Sequence, residues 1–288
     1  MPKERVGERV FVFFSESYAS TTATVIFTAD GTIVVDTLPF PNEARELAAF
    51  ARRGGRRVAY LVNTHSHLDH VAANYLFPEA ELVAHARTRE ALAGPMRQAL
   101  AQAAATFPEL RDVELRLPTI TLRNEGTIRH GGITVHLLHL PGHTYDAIGA
   151  YVEEERTLIA GDAVLPLPHF AGADPDSLMR TLLRLRSLSI HTIVQGHGDV
   201  ILKGEVKEAI EARINYLRQV RKYVASAVAQ GASLEEVQSS GVEAFGGSRL
   251  DLDGLTQQLH EANIAYLYDL YTRKEQPSAL RLPAEGQQ

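Results

Sequence analysis

The chain has no cysteine in its 288 residues. That excludes disulfides, thiolate zinc fingers, iron–sulfur clusters and a thiol nucleophile. It has no excess of positive charge either. Lys and Arg number 29 against 35 Asp and Glu, a formal net charge of -6. Nucleic-acid binders ordinarily carry the opposite balance, so no nucleic-acid partner is expected. No apolar run reaches the roughly 18 residues that a spanning helix needs. The start, Met1-Pro2-Lys3-Glu4-Arg5, lacks an apolar signal core. No membrane partner is expected, and a soluble, cytoplasmic protein is the default. There is no internal repeat at a solenoid period. A hydrophobic fraction of 45% and a charged fraction of 22% suit one large or two smaller globular domains.

Histidine, by contrast, is concentrated. It occurs 12 times, and three of the 12 fall between residues 65 and 70. Around that cluster the pattern alternates between strands and helices. Val10 to Phe14, Thr22 to Phe27 and Thr32 to Asp36 read as strands, with Asp30-Gly31 as a hairpin turn. A helix starts at Pro41-Asn42-Glu43, with Asn42 as its N-cap, and ends at Gly54-Gly55. Val58 to Val62 is a strand, and residues 63 to 70 form a polar loop after it. A helical stretch from Thr88 to Ala105 breaks at Gly94-Pro95. Strands return at Thr119 to Leu122, Ile133 to Leu140, Ala147 to Val152 and Thr157 to Ala160. A helix over Asp176 to Leu188 and a short strand at Ile193-Val194-Gln195 follow. From Gly204, apolar residues recur at spacings of three and four, which predicts an amphipathic helix. A second such helix runs from Leu252 to Tyr271, and the polar tail from Glu275 is expected to fray.

The chemistry centres on His65-Ser66-His67-Leu68-Asp69-His70. At this chain's composition, chance supplies roughly 0.001 matches to that pattern, so accident is a poor explanation. His65 and His67, two apart in a turn, can point at one ion, and Asp69 and His70 at a neighbouring one. Imidazole and carboxylate are the ligands zinc, manganese or iron take when thiolates are absent. Three further candidates stand just past apolar runs, each beside a glycine: Gly142-His143, Gly161-Asp162 and Gly196-His197. Strand ends of this kind are where α/β proteins assemble sites.

Together, Thr64 to His70, Pro141-Gly142-His143-Thr144, Ala160-Gly161-Asp162 and Gly196-His197 resemble the metallo-β-lactamase superfamily. Asp36, at a strand end, matches as well, and the resemblance covers about residues 10 to 200. It implies a four-layer αββα sandwich over residues 1–203, followed by a C-terminal helical extension, 204–288, acting as a cap or dimerisation element. It implies two divalent ions, Zn2+ first, with Mn2+ or Fe2+ as alternatives. His65, His67 and His143 would hold one ion and Asp69, His70 and His197 the other, with Asp162 bridging. A hydroxide between the ions would be the nucleophile. Asp69 would orient it or shuttle its proton. Asp36 would steady the ligand loop from behind.

Departures from family patterns narrow the function. The commonest β-lactamases of this fold carry Cys where this chain has Asp162. Residues 163–170 do not resemble the Gly- and Arg-containing stretch of glyoxalase II, and no flavodoxin domain is present. The favoured reading is a hydrolase of a small ester, lactone, thioester or amide, a β-lactam included. The alternatives are a mononuclear-iron persulfide dioxygenase and a non-catalytic metal-binding or relay protein. The apolar loop 163–170 and the 88–107 segment, with Met96 and Phe107, hint at a partly apolar substrate; the loop should overhang the site, and its His169 reads as an ordinary loop histidine, with substrate contact as the alternative. Ser66 has no dedicated base and is not read as a nucleophile. Arg52, Arg53, Arg56 and Arg57 read as a solvated helix end. Tyr266, Tyr268 and Tyr271 read as helix-face packing or a homodimer contact, and the other six histidines as surface or core residues.

Overall fold

Successive side chains of a strand point to opposite faces, so an apolar strand serves two cores. The computed structural model, which describes residues 1–275, shows this arrangement in both of its sheets. The first sheet holds seven strands in sequence order: β1 (Lys3–Arg5), β2 (Val10–Phe14), β3 (Thr22–Thr28), β4 (Gly31–Val35), β5 (Val58–Val62), β6 (Glu81–His85) and β7 (Ile120–Leu122). β1 to β4 run antiparallel, and β4 to β7 pair in parallel. The second sheet has the order β12-β11-β10-β9-β8, built from β8 (Gly126–His130), β9 (Ile133–His139), β10 (Ile148–Val152), β11 (Thr157–Gly161) and β12 (Thr192–Gln195). Only β11 and β12 are parallel there.

Three cores define four layers. Between the sheets, Val10, Val12, Ile26 and Ile33 meet Val135, Leu137, Ile148 and Val194. Outside the first sheet, Phe13, Val25 and Val34 pack on Leu47, Ala48 and Ala51 of α1 (Pro41–Ala51). Outside the second, Leu140 and Leu158 pack with Leu178, Leu182 and Leu185 of α5 (Pro175–Ser187), Ile210, Ile214 and Leu217 of α6 (Val206–Ala229) and Ile264 and Leu267 of α8 (Thr256–Glu275). This is the αββα sandwich, and the C-terminal helices share its outer core. The remaining α-helices of the described residues are α2 (Leu68–Val71), α3 (Ala86–Ala93), α4 (Pro95–Thr106) and α7 (Leu234–Gln238).

Several local expectations need correcting. β1, β6 and β8 form where no strand was expected. β1 is an exposed charged edge, β8 turns one apolar residue inward, Ile128, and β6 is a three-residue apolar run buried between parallel neighbours. Asn42 is not the N-cap of α1; Phe40 is, with Pro41 at the first helical position, where a missing N–H costs nothing. The loop 63–70 ends in the helical turn α2, which begins at Leu68. The last helix starts at Thr256 rather than Leu252, because Leu252 and Asp253 adopt left-handed backbone, with φ 52° and 55°. Arg52 is no solvated end: it pairs with Glu79 at 2.8 Å and donates to the Leu76 carbonyl at 2.7 Å. The tail beyond residue 275 lies outside the described residues. No helix among them is long and apolar enough to cross a membrane.

Candidate metal centre

Every expected ligand stands at or just past the C-terminal end of a strand, and the two sheets bring those ends to one edge. Asp36 follows β4, and Thr64 to His70 follow β5. His143 follows β9, Asp162 follows β11 and His197 follows β12. Backbone bonds lock the edges together, with Ile148 N to Thr64 O at 2.7 Å and Thr22 N to Gly196 O at 2.9 Å. The glycines are required by close approach. A Cβ on Gly196 would overlap Asp162 Oδ1. Gly161, at φ 52°, would put its Cβ 2.6 Å from Thr64.

The structure gathers all seven residues into two adjoining groups. His65, His67, His143 and Asp162 converge as one set, and Asp69, His70 and His197 as the other. Asp162 faces both. Its Oδ2 lies 3.3 Å from His143 Nε2 and 3.8 Å from His65 Nε2. Its Oδ1 lies 3.2 Å from His70 Nε2 and 3.6 Å from His197 Nε2. Asp69 Oδ2 sits 3.1 Å from His197 Nε2 and 3.5 Å from His70 Nε2.

Atoms behind the ligands set which ring nitrogen faces inward. A carboxylate or carbonyl oxygen only accepts, so each nitrogen bound to one must carry the hydrogen. His70 Nδ1 donates to Asp36 Oδ2 at 3.0 Å, His143 Nδ1 to the His169 carbonyl at 3.0 Å and His197 Nδ1 to the Ala19 carbonyl at 3.0 Å. Thr64 Oγ1 donates to Asp36 Oδ2 at 2.7 Å, so it accepts from His65 Nδ1 at 3.1 Å. In the neutral rings, all four Nε2 lone pairs then point into the centre. Asp36, left-handed at φ 60°, also accepts from Thr64 N at 2.8 Å and so pins the ligand loop.

The donors fit divalent metal ions. His65 Nε2, His70 Nε2 and Asp162 Oδ1 are buried and have no hydrogen-bond partner, a costly state unless a cation satisfies them. The charge balance agrees. Burial pushes the pKa of His143 down to about 4 and that of His65 well below its usual range. Burial opposes ionisation of Asp69 and Asp162, but the surrounding histidines outweigh it and hold both carboxyls below the usual carboxylate range. Burial also opposes charge on His70 and His197. The neighbouring carboxylates win, raising His197 to about 10 and His70 well above its usual value. Protons thus stand where cationic charge is wanted, and ions that bind must displace them.

Ser66 lines a cavity beside the centre, and among the described residues no side chain activates it. His169 is half-buried at the junction of that cavity with the one over the ligands, and its Nδ1 has no partner. Burial lowers its pKa. Among the six other histidines, His85 caps α3 and His260 is buried against Tyr216, whereas His136 pairs with Glu153 at the surface. Tyr266 and Tyr268 pack on the α5 and α6 core, and Tyr266 also donates to the Ala173 carbonyl at 2.5 Å.

Sequence reasoning missed the residues that hold the loop after Asp162. Asn263 of α8 donates Nδ2 to Pro168 O at 2.7 Å and accepts at Oδ1 from Phe170 N at 3.0 Å. Arg213 of α6 donates to Leu165 O at 2.7 Å. A buried Asn and an Arg inside amphipathic helices were the available signals. Neither says what it touches.

Comparison with known proteins identifies the family. The metallo-beta-lactamase superfamily profile matches residues 19–197. A beta-lactamase-like protein 2 homolog of Caenorhabditis elegans is 36% identical over 93 residues, 32% of this chain and 32% of its own. A hydroxyacylglutathione hydrolase of Methylobacterium nodulans is 28% identical over 164 residues, 56% of each chain. The chain therefore spans about a third to a little over half the length of these curated relatives. A solved metallo-beta-lactamase family protein from Thermus thermophilus superposes with a TM-score of 0.65 at 19% identity, over 89% of this chain and 93% of the other. At that identity the likeness speaks for the fold alone. With a profile match running from the segment before β3 through the last ligand, the chain belongs to the metallo-beta-lactamase superfamily.

Proposed function

We propose that this protein is a metal-dependent hydrolase of a small ester, lactone, thioester or amide. The observation that carries the reading is the split of Asp162, with one carboxylate oxygen among His65 and His143 and the other among His70 and His197. A carboxylate so placed suits a bridge between two ions. His65, His67 and His143 would hold one, Asp69, His70 and His197 the other. Divalent ions there would polarise an acyl group and supply ionised water at neutral pH. The hydroxyacylglutathione hydrolase among the relatives is consistent with acyl hydrolysis.

The chain's own groups do the rest. Asp69 is the ligand carboxylate nearest the apolar side of the cavity, beside Tyr18. It would take the proton released as the attacking water ionises, before that oxygen bonds to the acyl carbon. The bond to the leaving oxygen, sulfur or nitrogen then breaks, and Asp69 returns its proton to that atom. His169, neutral and poised between the two cavities, is placed to orient the leaving group.

The test is elemental mass spectrometry on protein purified without chelators, followed by a panel of lactones, thioesters, esters and β-lactams. About two equivalents of zinc, manganese or a mixture, with turnover of an acyl substrate, is the expected result. One equivalent of iron, no second metal and oxygen uptake with a persulfide would overturn it. For the ligand assignment, His67→Ala is expected to lose metal and activity together.

A further inference from the structure

The metal centre opens to two sides that differ in chemistry. On one side lies a cavity of about 520 Å3 whose lining includes Ser66, Thr144, Asp146, Asp174 and Ser177. On the other lies a cavity of about 200 Å3 in which the ligands face Leu165, Leu252, Leu255 and Leu259. That cavity shares Tyr18 and Asp69 with a smaller lobe of about 120 Å3, walled by Phe40, Ala103, Phe107 and Leu110. Among the described residues, no lysine or arginine lines any of the three.

Two features show that the apolar side is built. The first is α4. Met96, Leu100 and Ala103, with Phe107 just past its end, recur at helical spacing; Leu100 and Ala103 pack on Phe40 and Leu110, and Phe107 is 37% exposed at the lobe's rim. The second is the turn before α8. Leu252 and Asp253, neither a glycine, both hold left-handed backbone, and Leu252 reaches the cavity. Such strain persists where the surroundings impose it, and it concentrates at ligand clamps.

Resting on the hydrolase reading, we propose that the substrate is an amphiphile with an uncharged aliphatic chain. The chain lies along the Leu252–Leu259 wall and Tyr18 and ends in the lobe under Phe107. Its scissile acyl carbon sits at Asp69 and Asp162. A polar leaving group occupies the side of Ser66 and Thr144, where Asp174 is already paired with Arg180 at 3.6 Å and Asp146 accepts from Thr88 at 2.8 Å.

A series of p-nitrophenyl esters from acetate through butyrate and hexanoate to octanoate tests the inference on the metal-loaded protein. kcat/KM is expected to rise about three- to fourfold for each methylene buried. Phe107→Asp, a rim change that leaves the core intact, is expected to cut the octanoate-to-acetate ratio about tenfold. Turnover of acetate with a flat series, or an unchanged ratio in Phe107→Asp, overturns the inference and leaves hydrolysis standing. So does faster cleavage of octyl sulfate than of the octanoate ester. Calorimetric binding of octanol and butanol gives a readout free of turnover. Octanol is expected to bind at least tenfold tighter, and equal affinities overturn the proposal. If no acyl substrate is hydrolysed, the hydrolase reading fails, and the alcohol comparison still decides whether the lobe takes an aliphatic chain.

Discussion

His70 and His143 each donate an Nδ1 hydrogen over 3.0 Å, but their supports differ in origin. His70 leans on Asp36, at the end of β4, next to the Thr64 loop at the end of β5. Those strands are parallel neighbours, so the sheet itself makes that half of the centre. His143 leans on the carbonyl of His169, in a loop whose flanking peptide groups are held by Asn263. Asn263 Nδ2 also donates to Tyr216 Oη at 3.1 Å, and Tyr216 Oη is hydrogen-bonded to His260 Nδ1 at 3.0 Å. One half of the centre is therefore a property of the sandwich. The other half takes His65 and His67 from the same loop, but its His143 leans on a loop held by α6 and α8, which lie beyond the last ligand.

The largest expected effect falls on the sheet-made half. Asp69→Asn keeps an oxygen donor but removes the proton acceptor, so kcat should fall about 10²–10⁴-fold. Metal content by elemental analysis should change far less than kcat. Equal losses of both would make Asp69 a ligand and nothing more.

Next comes Asp36→Ala, which strands His70 Nδ1, Thr64 N and Thr64 Oγ1 at once. Loss of such a support typically costs about 10–100-fold in metal affinity. Chelator competition should show the site of Asp69, His70 and His197 weakened most and the other less, because Thr64, freed from Asp36, supports only His65 there. Uniform weakening of both would mean that the two halves are not separately supported.

Asn263→Ala should act on the other half and less strongly on metal. It leaves Pro168 O and Phe170 N buried without partners, at about 1–3 kcal/mol each in stability. The His169 carbonyl should shift only partly, because Arg213 at Leu165 and Tyr266 at Ala173 still grip the loop. The expected result is a lowered Tm with a modest loss at the His65, His67 and His143 site. In the double variant Asp36→Ala with Asn263→Ala, the metal-affinity losses should exceed their sum. The two supports share no residue, and their ligands meet at Asp162. Additivity within about 0.3–0.5 kcal/mol would argue that Asp162 does not couple the two sites.

The same contrast explains what was legible in the sequence. The ligands could be read because metal chemistry limits residue types and strand ends limit positions: His65, His67, Asp69 and His70 sit in one short motif, and His143, Asp162 and His197 each follow an apolar run beside a glycine. Asp36 was legible through the family resemblance. The strand and helix signals alone indicated an α/β body followed by helices, and the four-layer sandwich came from the resemblance. The supports of His143 were not legible. A buried Asn in an amphipathic helix shows that it must bond to something, and its partners, Pro168 and Phe170, lie more than 90 residues away. Ala19 offers only its carbonyl to His197, and a backbone group leaves no residue-type signal. β6 escaped notice because a short strand between parallel neighbours is made by its neighbours, not by its own pattern.

The far end of the relay carries the smallest and most specific expectation. Tyr216 accepts from Asn263 and shares a hydrogen bond with His260 Nδ1, a neutral ring's contact in either direction. Burial lowers the His260 pKa to about 4. An unfolded histidine titrates near 6.5, so between those values the unfolded chain binds the proton more readily. Stability owed to His260 is complete above about pH 6.5 and is lost as pH falls towards about 4. His260→Gln keeps an acceptor for Tyr216 and removes the titration. The wild-type Tm should therefore drop more between pH 7.5 and pH 5 than the variant's, when both are metal-free. Because Asn263 joins His260 to the His169 loop, wild-type metal affinity at the His143 site should weaken over the same interval more than in His260→Gln. Parallel pH curves for the two proteins would confine His260 to packing and end the relay at Tyr216.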